Sequence, residues 1–336
     1  MPKNEARRKK PRGSRCEVAM LSRAAENIFW LNRYLERADN YARFIDVNLN
    51  ISLEMPPSYA SQWLPLVETT GDTELFHQLY PEASSENVIR FLATDLKNPN
   101  SIYSCLNAAR ENARIVRENI STEMWEVINS LYLRVQNLRS DALSHSPATL
   151  ITIFREIRNT VMAFYGTMED SIAHGEAWHY GRLGRFLERA DKTARILDMK
   201  YFILLPKLSD VGSSLDQLQW AALLKSTSGL QVYRRQYGHI DPTNIAKFLI
   251  FDREFPRAIK YCLIWINHSL HELTDSAVYS FSNTAEKKTG SFLSELDYKD
   301  YDEVRAQGLH EFLDYVQQRC NDIGGAISAT FFSPAV

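Results

Sequence analysis

The sequence is poor in the residues that interrupt helices. Its 336 residues include 13 glycines and 12 prolines, and the long stretches between them favour helices over strands and tight turns. The four cysteines, at positions 16, 105, 262 and 320, form no CxxC pair and no metal-ligand spacing. A disulfide scaffold or a zinc finger is therefore disfavoured, and we expect a reduced, cytoplasmic protein. Cys105 and Cys262 lie on apolar helical runs and are predicted to be core residues.

Long apolar runs and familiar nucleotide-binding motifs are absent as well. No run approaches the roughly 18 apolar residues of a membrane span, and no apolar signal segment follows the N-terminus. The sequence contains no GxGxxG, no GxxxxGK[ST] and no GxSxG. We therefore expect no membrane span, no familiar ATP-binding loop and no esterase-type nucleophile. The cofactor, if there is one, is left open.

Residues 1–19 differ from the rest of the chain. They carry seven Lys or Arg against two Glu and show no hydrophobic period, which predicts a disordered basic tail. The whole chain has a formal charge of −2, so the remainder carries about −7. A mildly acidic body predicts no specific binding of nucleic acid.

A repeat divides the body of the chain. "RYLERADNYARFID" at 33–46 returns as "RFLERADKTARILD" at 185–198, and residues 86–106 match 243–263 at an offset of 157. We predict an all-α helical bundle built from two internally duplicated halves related by pseudo-symmetry. The first helical repeat is assigned to residues 20–145 and the second to 146–336, packed together as one unit.

Hydrophobic periodicity and breakers place the helices. They are predicted near residues 22–54, 59–80 (interrupted at Gly71), 86–96, 99–119, 121–140, 147–172, 176–204, 215–237, 243–253, 256–278 and 301–320. The polar stretch at 281–292 is predicted to be the main internal loop, and the closing "IGGAISATFF" a short helix or turn.

The charged residues of the repeat match better than its apolar residues. Six charges, at 33, 36, 37, 39, 43 and 46, return unchanged at 185, 188, 189, 191, 195 and 198. Meanwhile Tyr34 becomes Phe186 and Phe44 becomes Ile196. Exposed ion pairs contribute only about 0.3–0.5 kcal/mol each and should drift, so something restrains these charges.

Two explanations of the restraint stay open. One is a buried ion network that fixes the register between the halves. The other is a polar cleft in which arginines hold an anionic ligand and the glutamates Glu36 and Glu188 act as acid, base or orienting group. The two explanations are compatible.

Four long motifs follow one another along residues 20–330: "MLSRAAENIFWLNRYLERADNYARFID", "SCLNAARENARIVRENISTEMWEVIN", "GRFLERADKTARILDMKYFILLP" and "FLIFDREFPRAIKYCL". In this order they resemble the bacterial alpha-E family. The resemblance implies an all-α protein, often encoded beside an ATP-grasp ligase and a transglutaminase-like protein, and involved in making or trimming peptide-like amide bonds. Family analogy alone does not establish chemistry.

The resemblance and the charge pattern together select candidate site residues. The catalytic candidates are Glu36 and Glu188, and the ligand-binding candidates are Arg33, Arg37, Arg110, Arg114, Arg185, Arg189 and Arg257. Asn100 stands where the second half has Arg257, so one of two equivalent sites is expected to be weaker. Arg110 and Arg114 lie one helical turn apart, and the alternative to ligand binding is pairing with Glu111 and Glu118 on the same helix or with acidic neighbours.

A metal site is not expected. Glu176 and His179 form a single ExxH element, whereas di-iron bundles need two such elements and two further glutamates. His268 and Glu272 add only weak candidates.

Two classes of function follow. The first is a helical accessory protein of an ATP-grasp amide-ligase or peptide-modification system, which binds the ligase or an anionic, peptide-like ligand through the repeated Arg/Glu motifs. The alternative is an enzyme that acts on a peptide-like or acylated substrate in an Arg/Glu-lined cleft between the halves.

Overall fold

The computed structural model describes residues 20–54, 63–141, 146–202 and 213–333. This part of the chain is all-helical and contains no β-strand, as the sequence predicts. Its helices are α1 (Ser22–Glu54), α2 (Leu64–Thr70), α3 (Thr73–Leu79), α4 (Ser85–Ala93), α5 (Ile102–Ile115), α6 (Thr122–Asp141), α7 (Pro147–Ser171), α8 (Glu176–Phe202), α9 (Ser214–Ser226), α10 (Leu230–Tyr237), α11 (Pro242–Phe251), α12 (Ile259–Thr274), α13 (Thr284–Tyr298), α14 (Tyr301–Gln307) and α15 (Leu309–Ile327). A π-helical turn, Ser328–Phe332, follows α15. The predicted basic tail at 1–19 lies outside the described residues.

Helix starts follow ordinary capping chemistry. Ser146 accepts a hydrogen bond from the backbone N–H of Thr149 and precedes Pro147 at the first position of α7. Asp241 and Pro242 open α11 in the same way. These signals are local, which is why the predicted starts of both helices are close to the observed ones.

The predicted internal loop at 281–292 is wrong, because most of it belongs to α13. Asn283 caps this helix by accepting from the N–H of Glu286, and the buried carboxylate of Glu286 accepts in turn from the backbone N–H of Ser282. Phe292 and Leu296 then bury the inner face of the helix. The polar residues that suggested a loop are the N-cap of α13 and the residues on its solvent-facing side.

Two predicted helices are each broken into two. The prediction at 215–237 is interrupted at Ser228, which has a left-handed backbone with φ of 57°, and α9 and α10 lie on either side. The prediction at 301–320 is interrupted at Gly308, with φ of 100°, between α14 and α15. The expected break at Gly71, with φ of 80°, is confirmed.

The longest helices, α1 and α8, cross at the centre of the molecule. Their approach requires Gly184 on α8, because a Cβ there would lie 2.1 Å from the carbonyl oxygen of Phe29 on α1. Helices α5 and α7 flank α1, while α12 and α15 flank α8. Cys105 and Cys262 are both buried, which confirms their predicted core location. None of the described helices is long and apolar enough to cross a membrane.

Two aromatic clusters of similar geometry lie at separate places in the fold. Phe76 stacks on Tyr80 at 5.3 Å between ring centroids and meets the edge of Phe91 at 5.2 Å. Tyr233 stacks on Tyr237 at 4.9 Å and meets the edge of Phe248 at 5.7 Å. The residues of the second cluster each follow those of the first by 157 positions.

Candidate functional site

The α1–α8 crossing brings two Glu-Arg dipeptides face to face, and each binds the other. Arg189 donates to Glu36 through two parallel bonds, Nε to Oε1 and Nη2 to Oε2, both 2.8 Å long. Arg37 donates to Glu188 in the same two-pronged manner, at 2.6 and 3.0 Å. Such bidentate pairs are among the strongest and most directional polar contacts in proteins.

Further cations complete the surroundings of each glutamate. Arg257 donates from Nη1 to Oε1 of Glu36 at 3.0 Å. Arg33 donates from Nε to Oε2 of Glu188 at 2.9 Å, and Nζ of Lys192 lies 3.6 Å from Oε1. We call the two glutamates and their arginine partners the Glu–Arg network; its members are Arg33, Glu36, Arg37, Glu188, Arg189 and Arg257.

Both glutamates of the network are fully buried. Burial by itself raises the pKa of Glu36, but Arg189 and Arg257 outweigh it and hold that pKa well below its usual range. Burial also raises the pKa of Glu188, but nearby cations, Arg37 first among them, outweigh burial and lower it. A carboxylate with a low pKa is a weak base, so this environment fits an orienting role better than proton transfer. The catalytic assignment of both residues stays a prediction.

A second layer of charges lies one helical turn further along α1 and α8. Oδ2 of Asp39 accepts from Nε of Arg43 at 2.7 Å and from Nη2 of Arg257 at 2.6 Å. On α8, Oδ2 of Asp191 accepts from Nε of Arg195 at 3.0 Å. The Oδ1 atoms of both aspartates are buried without a hydrogen-bond partner among the described residues. Asp39 and Asp191 therefore resemble each other: each binds the arginine four residues further along its helix through Oδ2, and each has an unsatisfied Oδ1.

Asn100 and Arg257 differ in what they bind. The amide oxygen of Asn100 accepts from Nη1 of Arg37 at 2.6 Å, and its amide nitrogen donates to Asp72 at 3.0 Å. Arg257 instead adds a positive charge beside Glu36. The substitution noted in the sequence thus replaces a cation that binds Glu36 by a neutral amide that binds Arg37.

A cleft of about 510 Å³ opens on the Glu36 side. Its walls come from α1, α7, α8, the turn between α9 and α10, and the segment before α12. The charged side chains that line it are Asp39, Arg43, Glu169, Arg185, Arg189 and Arg257. Four arginines against two acids leave this cleft positive, and we call it the arginine cleft.

Arg185 is the distinctive residue of the arginine cleft. No carboxylate of the described residues lies within 4 Å of its guanidinium group, and its Nε is buried without an acceptor. The guanidinium instead lies 3.8 Å above the ring of Tyr165, and burial lowers its pKa to about 10. Arg33, at the corresponding place in the repeat, binds Glu188 directly. Arg185 therefore remains a cation that has not been neutralised by an ion pair.

The structure thus separates the predicted ligand-binding residues into three groups. Arg185, Arg189 and Arg257 line the arginine cleft together, whereas Arg33 and Arg37 bind Glu188 and do not line it. Arg110 and Arg114 lie apart on α5 and both pair with Glu111, as the alternative interpretation has it.

Sequence reasoning missed a second cleft, which we call the Lys225 cleft. It has a volume of about 400 Å³, and its basic side chains are Arg155, Arg158 and Lys225. Arg158 binds Asp46 of α1, and Ser228 lines both clefts. The regular spacing of Arg155, Arg158 and Tyr165 on one face of α7 is a signal that could have found this surface.

One group of potential metal ligands occurs among the described residues. It consists of Asp198, His310 and Asp314, whose ligand atoms lie within 4.8 Å of one another. Nδ1 of His310 lies 2.8 Å from Asp198, and its Nε2 lies 3.8 Å from Asp314. Since the two ring nitrogens face different carboxylates, the group is satisfied internally. The expectation of no metal site stays a prediction.

Residues 20–332 match a family model described as Alpha-E, "a predicted alpha-helical domain with a conserved ER motif". The chain belongs to the Alpha-E family. The Glu-Arg dipeptide occurs twice in this member, at 36–37 and 188–189, and these are the residues that bind each other across the α1–α8 crossing. The motif in the family's description therefore lies at the centre of the Glu–Arg network.

Similar curated proteins come from mycobacteria. An uncharacterised protein of Mycobacterium bovis and one of Mycobacterium tuberculosis are each 22% identical over 329 residues, which cover 92% of this chain. The match covers only 36% of the length of either relative. No solved structure matches the chain.

Proposed function

We propose that this protein is a helical binding module that holds the carboxylate of an anionic, peptide-like ligand in the arginine cleft. The observation that carries the proposal is Arg185, a guanidinium group in a positive cleft with no carboxylate of the described residues within 4 Å. Leaving such a charge without a counter-ion is costly, and an incoming carboxylate supplies one. The cleft volume of about 510 Å³ suits a small molecule or a short peptide.

The Glu–Arg network prepares this cleft for an anion. Glu36 fixes Arg189 and Arg257 in place through hydrogen bonds, so neither side chain loses much conformational freedom when a ligand binds. Glu36 is fully buried behind them, whereas Arg185 keeps its full charge. In this proposal Glu36 and Glu188 are positioning residues, which favours a binding role over the alternative role as an enzyme.

We also propose that the module works beside an amide-forming or amide-trimming partner, such as an ATP-grasp ligase or a transglutaminase-like protein. The family resemblance suggests these partners. The mycobacterial relatives support the idea of a partner in general, since almost two thirds of their length lies outside the match. Co-purification of this chain with a neighbouring ATP-grasp protein tests it, and failure to form any complex would contradict it.

We further propose that the chain consists of two duplicated halves, residues 20–145 and 146–336. The reciprocal Glu-Arg pairs, the left-handed turns at Gly71 and Ser228 and the two aromatic clusters support this proposal. The halves expressed as separate chains should then associate. Recovery of each half alone after co-expression would contradict the packing of the two halves as one unit.

The binding proposal is tested by calorimetry with acetyl-tetra-alanine as the free acid and as the amide. We expect the acid to bind and the amide not to bind, because only the acid neutralises Arg185. Arg185→Gln should lower the affinity for the free-acid peptide roughly tenfold or more. Arg305→Gln, which removes an exposed arginine on α14, is the matched control and should change nothing. Equal binding of acid and amide would refute the proposal.

A further inference from the structure

The arginine cleft and the Lys225 cleft are neighbouring parts of one surface. Both are lined by α1 and α7, and both include the exposed Ser228 in the turn between α9 and α10. Together they present seven basic and three acidic side chains. A ligand that fills one cleft can therefore extend into the other along α7.

The spacing along α7 sets the distance between the two positive ends. The guanidinium group of Arg185 stacks on the ring of Tyr165. Tyr165 lies seven residues after Arg158 and ten after Arg155. At a rise of 1.5 Å per residue these steps correspond to roughly 10 to 15 Å. An extended peptide covers about 3.4 Å per residue, so the same distance corresponds to about three or four residues.

The far end of the surface also has positive charge that is not neutralised. Arg155 and Lys225 are exposed, and no carboxylate of the described residues lies within 4 Å of either. The acidic group of this cleft, Asp46, is already bound by Arg158. An anion at this end would thus meet two free cations without competing with an existing ion pair.

We propose that the joined surface binds an extended acidic peptide with two carboxylates about three to four residues apart. One carboxylate lies against Arg185 in the arginine cleft, and the other lies between Arg155 and Lys225. This inference rests on the proposed function and names its ligand class. It predicts selection by carboxylate spacing, which a single positive cleft does not provide.

The test compares three peptides by calorimetry: acetyl-Glu-Ala-Ala-Ala, acetyl-Gln-Ala-Ala-Ala and acetyl-Ala-Ala-Glu-Ala, all with a free C-terminal carboxylate. We expect the first to bind roughly tenfold more tightly than the second, since a charge-assisted contact is added. The third peptide carries the same charge with its carboxylates too close together, so its affinity should exceed that of the second peptide by less. The Arg155→Gln, Lys225→Gln double variant should remove the gain and leave the affinity for the Gln peptide unchanged. Both replaced side chains are exposed, so the fold should be preserved.

The outcomes separate this inference from the proposed function. If wild type binds all three peptides equally, or if the double variant keeps the gain, the two-carboxylate inference is overturned while the arginine cleft still stands. If wild type binds none of the peptides, the proposed function fails and the inference fails with it. Arg305→Gln again serves as the control for a general loss of positive charge.

Discussion

Replacing Glu36 or Glu188 by glutamine should destabilise the protein strongly. Each substitution keeps the shape of the side chain but leaves at least two cations beside a neutral amide in a fully buried place. Removing one partner of a buried ion pair costs about 3–5 kcal/mol. For 336 residues the unfolding entropy implies a shift of about 1.5 °C per kcal/mol. We therefore expect each single variant to melt about 4–7 °C below wild type.

Thermal unfolding followed by circular dichroism at pH 7 provides the measurement. Asp302→Asn is the matched control, because Asp302 forms an exposed ion pair with Arg305. Such a pair contributes about 0–1 kcal/mol, so the control should melt within about 1.5 °C of wild type. The double variant Glu36→Gln, Glu188→Gln should be less stable than either single variant. Because the two glutamates share one network, its loss need not equal the sum of the two.

The pH dependence of the loss checks its electrostatic origin. The pKa of Glu36 is lowered in the folded state, so the stability that its carboxylate provides is fully present above the unfolded pKa of about 4.5. It is lost as the pH falls below that value towards the folded pKa. The difference between wild type and Glu36→Gln should thus be constant above about pH 5.5 and shrink in acid. A variant that melts within about 1.5 °C of wild type at pH 7 would refute the idea of a structural network.

Three further predictions follow from the same structure. Gly184→Ala should lower the free energy of unfolding, measured with denaturant, by several kcal/mol, because its Cβ would lie 2.1 Å from the carbonyl oxygen of Phe29. Gly166→Ala is the control: it has open space on α7, and its free energy of unfolding should rise by about 0.5–1 kcal/mol. Equal effects of the two substitutions would contradict this account of the α1–α8 crossing. Burial lowers the pKa of His179 to about 4, so the folded protein keeps this imidazole neutral while the unfolded chain takes up a proton near pH 6.5. The stability of the folded state therefore decreases as the pH falls from about 6.5 towards 4. Between pH 7 and pH 5 the melting temperature of His179→Gln should therefore fall by less than that of wild type. An equal fall in both proteins would refute the prediction. Arg185→Gln should melt at or above the wild-type temperature, since it removes a buried cation that has no ion pair with any described residue. A drop of more than about 3 °C would show that Arg185 is structural.

The helices were largely predictable because their signals are local. Capping residues and breakers placed α7 and α11 correctly, and Gly71 was recognised as a break. Ser228 was not, because serine rarely adopts a left-handed backbone and its letter alone gives no sign of one. The missed α13 shows the opposite error, since a polar helix with one buried face looks like a loop in composition.

The site was predictable in its membership but not in its pairing. The repeat singled out Glu36 and Glu188 as restrained, but the sequence did not indicate which cations each glutamate binds. Within residues 33–46, all of which the structure describes, Arg43 and Asp39 form the one ion pair along the helix, and Glu36 and Arg37 bind partners on the opposite helix. Which residues meet across a crossing depends on tertiary packing, and periodicity within one helix carries no information about it.

The Glu-Arg pairs also explain why the charges of the repeat match better than its apolar residues. A bidentate pair needs both partners at fixed positions, and losing either one leaves an uncompensated buried charge at a cost of about 3–5 kcal/mol. The exchange of Phe44 for Ile196 changes only the shape of a buried apolar side chain, which neighbouring residues can accommodate at a cost of typically under about 1.5 kcal/mol. Under the proposed duplication, substitutions at the ion pairs would therefore be removed while apolar ones accumulated. Arg185 does not follow this logic, because it has no carboxylate partner among the described residues and yet retains the arginine found at position 33. The stacking of its guanidinium on Tyr165 does not require a positive charge to be kept at this place, whereas the proposed ligand carboxylate does. Under the proposed function, Arg185 rather than either glutamate is therefore the decisive position to test.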